Sequence, residues 1–325
     1  MTPLPAAPLT VPGPDGQPVV GRFAGAAGRF DWARLGAPYA RSRWWRRFHH
    51  KRWHYTALAA DRLFCGIAIV DVGWTNTAFA YVFDRTRGEV VAGFSRDGVP
   101  GWTARLAAHA GEDSRFRFGG QAIDLSARRL SLRCRGLEID AAFGLPAAPL
   151  LLAVGPVQGG AVHATQKSSG LALTGKVRIG NQEIALDGGV ASFDYSNGLL
   201  ARETAWRWAS AHSLSLGFNL QAGYFGAHEN ALWLDGQLIG LGAATFDFTD
   251  ADPMAPWHVV TDDGLLDLHF TPEGVRREDK NLLVAASRYV QPIGTFSGWV
   301  RARADAPKRA VNCLAGVTED HASRW

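Results

Sequence analysis

Cysteine is scarce in this sequence: Cys65, Cys134 and Cys313 are odd in number, far apart and never in CxxC spacing. They support neither a disulfide framework nor a zinc knuckle, and they place the chain in a reducing, cytoplasmic setting. No apolar run reaches the roughly 18 residues a spanning helix needs. The best, residues 143–157, is broken by Pro146, Pro149 and Pro156. The opening MTPLPAAPLTVPGPDGQP lacks the basic region and continuous apolar stretch of a secretory signal, and its prolines predict an extended arm over residues 1–40. HxH, HExxH and Cys-His spacings are missing, and His50 and His54 stand among Arg and Lys, so no metal centre is expected. Gly155, Gly159 and Gly160 follow no strand-to-helix pattern, which argues against dinucleotide and phosphate-loop folds. GxSxG, the elbow of serine hydrolases, is also absent. No cofactor is expected.

What the chain has in abundance is aromatic: 12 Trp and 17 Phe in 325 residues, side chains that favour strands and line apolar pockets. From Arg52 to Arg135 short β-branched and aromatic runs follow one another, separated by Asp, Gly, Asn or Arg-Gly turn signals. Strands without helical spacers predict an antiparallel all-β sandwich or barrel with few short helices. One short helix is expected in residues 101–110. Pro146 to Gly160 punctuates a single apolar strand with prolines and glycines and is the expected junction between a first β-domain, 41–155, and a second, 156–325.

The richest stretch is Leu186 to Phe248. Asp187-Gly188, Asn197-Gly198 and Asp235-Gly236 cut it into apolar runs and predict tight hairpin turns. Asp194, Asn219, His228, Glu229 and Asn230 are threaded among Trp206, Trp208 and Trp233, the composition of a pocket wall.

Charge is concentrated too. The net charge is only +4, yet Arg41 to His54, RSRWWRRFHHKRWH, holds six Arg or Lys between Trp44, Trp45, Phe48 and Trp53. Helical spacing puts an aromatic stripe beside a basic face. Four readings are open: an interfacial helix on anionic lipid, a nucleic-acid patch, a lid, or a helix that packs its aromatics on the barrel with its arginines in water. Nucleic acid ranks last because no recognised module accompanies the patch.

Several motifs in order resemble one bacterial family: KRWHY at Lys51, HATQK at His163, FDYSNGLLARETAWRWAS at Phe193, GFNLQAGYFGAHENALWLDG at Gly217, QPIGTFSG at Gln291 and the closing GVTEDHASRW. They are similar to the family designated domain of unknown function 2804, over about Gly21 to Trp325. A more distant likeness is to paired lipocalin-like proteins, among them carotenoid hydratases, tocopherol cyclases and pericyclic cyclases. That likeness implies two consecutive antiparallel lipocalin-like barrels with a hydrophobic ligand in or between them.

The chemistry follows from the residues. A carboxyl group in a dry aromatic pocket is costly to ionise and donates a proton near neutral pH. Asp194, Glu229 and Asp267 are the candidate acids, and His228, His163 or His269 the base. Lys167, Asn219, Asn230 and Gln291 are candidates to orient a substrate, and Trp206, Trp208, Trp233 and Trp257 to wall it in. The expectation is a cofactor-independent lyase or isomerase, of hydratase or cyclase type, acting on a hydrophobic unsaturated small molecule. The alternative is a lipid- or terpenoid-binding protein with the same cavity and no reaction.

Overall fold

Alternation of apolar and polar residues at period two sends successive side chains to opposite faces, and the chain responds by forming strands almost throughout. The computed structural model describes residues 3–109, 112–281 and 285–325. The strands that bear on the site in the first half are β1 (His50–Ala59), β2 (Leu63–Asp71), β3 (Asn76–Asp84), β4 (Glu89–Gly98), β5 (Leu151–Pro156), β6 (Val162–Lys167) and β7 (Gly189–Leu199). Those in the second half are β8 (Glu203–His212), β9 (Leu216–Gly223), β10 (Leu266–Asn281), β11 (Ala286–Val300) and β12 (Arg309–Arg324). The principal helix is α1 (Arg43–His49), which runs directly into β1.

Two curled antiparallel sheets result, as expected for paired lipocalin-like barrels. In the first, β4, β3, β2, β1 and β7 are successive neighbours, and the sheet continues through Leu171–Ile179 and Leu137–Phe143 to Ser114–Phe118. β6 pairs with both β5 and β7. In the second, β9, β8, β12, β11 and β10 are neighbours in that order.

Each sheet encloses its own core. Leu58, Ile67, Phe116, Leu132, Val177 and Tyr195 fill the first, and Phe218, Leu232, Leu268, Phe270 and Phe296 the second. The opposite faces meet in a third cluster, where Tyr55, Phe64, Tyr81 and Phe83 pack on Trp208, Ile293 and Val317. Strand β1 shows the division: Leu58 points into the first core, whereas Trp53, Tyr55, Ala57 and Ala59 point to the junction.

The change of sheet falls at residues 200–202, after β7, and not at Pro146 to Gly160. That segment supplies β5, which is held inside the first sheet by β6 and by Gly21–Ala24. Its prolines punctuate the strand's ends, where no ladder bond is lost. The arm is docked: Val11, Phe23, Trp32 and Leu35 are buried against Leu152, Val154 and Leu199. From it, Arg22 reaches the second half and donates to the carbonyls of Asn230 and Leu241.

Of the three expected hairpins, Asp235-Gly236 is one, with φ of 48° and 83° and Leu234 paired to Gln237. Asp187-Gly188 turns a corner instead, since the strands on either side both pair with Leu171–Ile179. Asn197-Gly198 lies within β7. Glycine is needed there because His163 faces it, and a Cβ at Gly198 would come 2.5 Å from the imidazole Nδ1. The helix expected in residues 101–110 is replaced by a turn and the two-residue strand Ala104–Arg105, paired with Phe116 and Arg115, while Ala110 lies outside the described residues.

Candidate functional site

On β6 the even positions Val162 and Ala164 face the docked arm, which leaves His163, Thr165 and Lys167 on the junction face. On β7, Phe193 and Tyr195 face the first core, which leaves Asp194 and Ser196 on the junction face. Register pairs Lys167 directly with Asp194 and Thr165 with Ser196. Lys167 Nζ lies 2.6 Å from Asp194 Oδ2 and 3.4 Å from Glu229 Oε2, the glutamate arriving from the loop between β9 and Ala231–Leu234 of the other sheet. A buried lysine thus ties two carboxylates across the junction.

The remaining bonds fix these groups. Asp194 Oδ1 accepts from Thr165 Oγ1 at 3.3 Å and Ser196 Oγ at 3.2 Å, and Oδ2 accepts from Trp53 Nε1 at 3.4 Å. Asn219 Nδ2 donates to the Glu229 carbonyl at 3.0 Å, while its Oδ1 accepts from Trp208 Nε1 at 2.8 Å.

These groups form one wall of a cavity of about 120 Å³ between the sheets. Trp53, Tyr55, Phe79, Trp206, Trp208 and Tyr224 supply most of its apolar surface. Tyr289, Glu319, His321 and Trp325 complete it. Glu319 is held by Trp206 Nε1 at 2.9 Å and Gln291 Nε2 at 3.0 Å, and Gln291 in turn accepts from Tyr81 Oη at 2.5 Å. Gln221 lines the cavity with both amide atoms buried and, among the described residues, without a hydrogen-bond partner. A buried amide without partners is costly, so the side chain is free to gain from a partner that reaches it.

Burial pushes the Glu229 pKa up; Lys167 works against this and Asp194 adds to it, so Glu229 titrates above the ordinary carboxyl range. Burial alone would lower the Lys167 pKa, but Asp194 and Glu229 hold it above its ordinary value. Tyr224 is pushed up by burial and then by Glu229 and Asp194, which keeps its hydroxyl a neutral donor. His163 is held well below its usual value by burial, Lys167 and His228, so it is a neutral imidazole, 3.3 Å from Tyr224 Oη through Nε2.

The structure brings together Lys167, Asp194, Glu229, Trp206 and Trp208 on the cavity, with Asn219, Gln291 and His163 directly behind them. Other candidates lie elsewhere. His228 packs on Phe225, ring centroids 5.0 Å apart, and against Gly155, outside the cavity. Asn230 closes its loop by accepting from Gln221 N and donating to Gly242 O. Trp233 bonds Pro149 O in a separate apolar cluster. Trp257 stacks on Phe248 in the second core, centroids 3.9 Å apart. Aromatic and amide side chains serve cores as well as pockets, and period two gives a residue's face without saying what lies beyond it. For that reason nothing in the local sequence marks Tyr55, Gln221, Tyr224, Tyr289, Glu319 and His321 as cavity residues.

Local spacing likewise hides a group assembled across strands. Among the described residues, His258, Asp267 and His269 bring one nitrogen or oxygen atom each within 4.8 Å of the others, a grouping that spacing along one strand does not show. His258 Nε2 lies 2.8 Å from Asp267 Oδ1, a hydrogen bond that accounts for their closeness without a metal.

Paired curled β-sheets with an aromatic cavity and buried carboxylates at their junction define a lipocalin-like two-barrel protein. The chain belongs to the family Domain of unknown function (DUF2804), whose model matches residues 14–325. No curated protein matches the sequence. Among solved structures, a putative AttH from Nitrosomonas europaea is similar with a TM-score of 0.54 at 13% identity, over 88% of this chain and 96% of that one. Kievitone hydratase from Nectria haematococca has a TM-score of 0.51 at 9% identity, over 85% and 88%. CghA, solved with Sch210972, has a TM-score of 0.57 at 10% identity, over 85% and 88%. At these identities the likeness shows the fold.

Proposed function

We propose that the chain is a cofactor-independent lyase or isomerase, of hydratase or cyclase type, in which Glu229 is the general acid toward a hydrophobic unsaturated small molecule. The observation that carries this reading is a carboxyl group with a raised pKa in an aromatic cavity, beside an ion pair that holds it in place. Protonated Glu229 can deliver a proton to an alkene or enol ether, and positive charge developing on carbon is met by the faces of Trp206 and Trp208. The Lys167 and Asp194 pair keeps a carboxylate at hand for the departing proton. Gln221 offers a polar substituent the hydrogen bonds its amide lacks inside the protein.

Volume limits the substrate. A drug-sized site occupies roughly 300–1,000 Å³, and the notional share of one water is about 30 Å³. The cavity of about 120 Å³ therefore admits a ring or a short alkenyl group, and a larger molecule enters only as the aromatic walls repack. That a protein of the same fold is a hydratase is in keeping with this reading, which rests on the residues. Peripheral membrane contact through Arg41–His54 belongs to it as the source of a hydrophobic substrate in a cytoplasmic setting.

The second reading, a binding protein without a reaction, is favoured by the same unpartnered Gln221 amide, which serves recognition equally well. Native mass spectrometry of protein from its own host, with extraction of any released molecule, names the ligand class. Glu229→Gln then separates the readings: turnover lost with the ligand retained supports catalysis, and a ligand recovered unchanged by both forms supports binding alone.

A further inference from the structure

We propose that the end of the first barrel built around α1 docks on anionic lipid bilayers, with an arginine-lined cleft beside α1 receiving the lipid head groups. As the source of a hydrophobic substrate this rests on the cavity reading above; as a surface it stands on its own observations.

The first is exposed aromatic surface gathered at one end. Trp44 is 75% exposed, Phe48 55% and Trp102 89%. Helix α1 abuts the 72–75 turn, since Lys51 Nζ donates to Val72 O at 2.7 Å and Gly73 sits against the carbonyls of Arg47 and His50. That turn is bonded to the one carrying Trp102, through Thr75 Oγ1 to Gly98 O at 3.4 Å and Asn76 Nδ2 to Val99 O at 3.0 Å. Three large aromatics therefore stand on neighbouring segments of one rim, although a folded chain of this size has core enough to bury them. Trp and Phe with such exposure suit the boundary between head groups and acyl chains.

The second is charge. Arg43, Arg46 and Arg47 line a cleft of about 630 Å³ and carry no ion pair among the described residues. The carboxylates in its wall, Asp31 and Asp71, are already held by Arg29 and Arg52. Nor does helix stability explain the arginines: the first turn of α1 has no acid, and Arg43 faces the positive end of the helix dipole. Such cations are complementary to an external anion, and each contributes to attraction by an anionic leaflet.

The third is rigidity. Ser42 Oγ accepts from Trp45 N at 3.2 Å, and Lys51 Nζ donates to Phe48 O at 2.8 Å, so both ends of α1 are tied. Trp45 stacks on His49, centroids 3.7 Å apart, which spends that ring on the protein and leaves Trp44 and Phe48 outward. A bilayer suits the surface better than single-stranded nucleic acid. Single-stranded nucleic acid is bound by several rings stacked along a basic groove, whereas Trp44 is the one strongly exposed ring in the cleft wall and Phe48 and Trp102 stand outside it.

The test is flotation of the full chain with vesicles of phosphatidylcholine alone and with vesicles containing about 30% phosphatidylglycerol. The expected result is flotation with the anionic vesicles only, weakening as salt shortens the screening length. R43Q/R47Q is expected to lower partitioning about thirtyfold, and W44A/W102A about tenfold. Both variants change exposed side chains, and unchanged thermal melts show that they fold. No flotation with anionic vesicles, flotation indifferent to both variants, or retention on single-stranded RNA without flotation overturns the proposal. Glu229→Gln must float as the parent does, so a failure of the catalytic reading leaves this result unaffected.

Discussion

Lys167 and Asp194 face each other across β6 and β7, Nζ to Oδ2 2.6 Å, with Lys167 almost wholly buried and Glu229 completing the group from the other sheet. Removing one partner of a buried pair leaves charge without compensation, which costs roughly 3–5 kcal/mol. Lys167→Met is therefore expected to lose about that much stability in urea melts. Adding Asp194→Asn to it is expected to recover most of the loss, because the stranded carboxylate goes too. Equal instability of the single and double variants would sink the pairing as the source of the effect.

Glu229 is the carboxyl group whose surroundings favour the protonated form. Its folded pKa is raised, so the protonated, donating form persists above the ordinary carboxyl range and is lost as pH rises through the raised value. Turnover is expected to fall on the alkaline side of that pKa, and Glu229→Gln to lower kcat by about 10²–10⁴ with ligand affinity little changed. Asp194 contributes to the rise, so Asp194→Asn is expected to move the alkaline limb to lower pH. A pH profile of kcat/KM on both variants decides this, and a limb that stays in place counts against Glu229 as the acid.

Gln221 makes stability and binding move in opposite directions. Its amide is buried on the cavity with neither atom partnered in the protein. Gln221→Leu removes an unsatisfied group worth about 1–3 kcal/mol, so the variant is expected to melt higher than the parent. The same change is expected to weaken binding of any ligand with a polar substituent about tenfold or more. Isothermal titration with the extracted ligand checks the second half, and a variant both less stable and unaltered in affinity would show the amide to be structural.

The fold was legible because strand alternation is local. The sequence from Arg52 to Arg135 has the period and turn chemistry of an antiparallel sheet, and those strands are there. What misled was glycine serving a different purpose: Gly198 allows His163 to approach within a strand, yet in sequence it reads as a turn. The site was legible only in pieces. Lys167, Asp194 and Glu229 each stood out as polar residues among apolar ones, but their meeting depends on register between β6 and β7 and on the packing of two sheets. Glu319 and Tyr289 come from strands far along the chain, where ordinary alternation gives no sign that a cavity lies on the other side.

Buried histidine sets a limit on the acid side. His54 lies within the first barrel, fully buried, with Nδ1 3.0 Å from Ser114 Oγ and its ring against the edges of Phe193 and Tyr195. Burial lowers its pKa to about 4, only partly opposed by Asp194. The folded state thus binds the proton less readily than the unfolded chain, whose histidine titrates near 6.5. The neutral ring costs nothing above pH 6.5, and stability is lost progressively as pH falls from there to about 4, by about 3 kcal/mol in all. Urea midpoints taken across that window are expected to drop in the wild type and to drop less in His54→Gln, whose amide carries no titrating proton. Parallel pH dependence in the two proteins would place the acid sensitivity elsewhere in the fold.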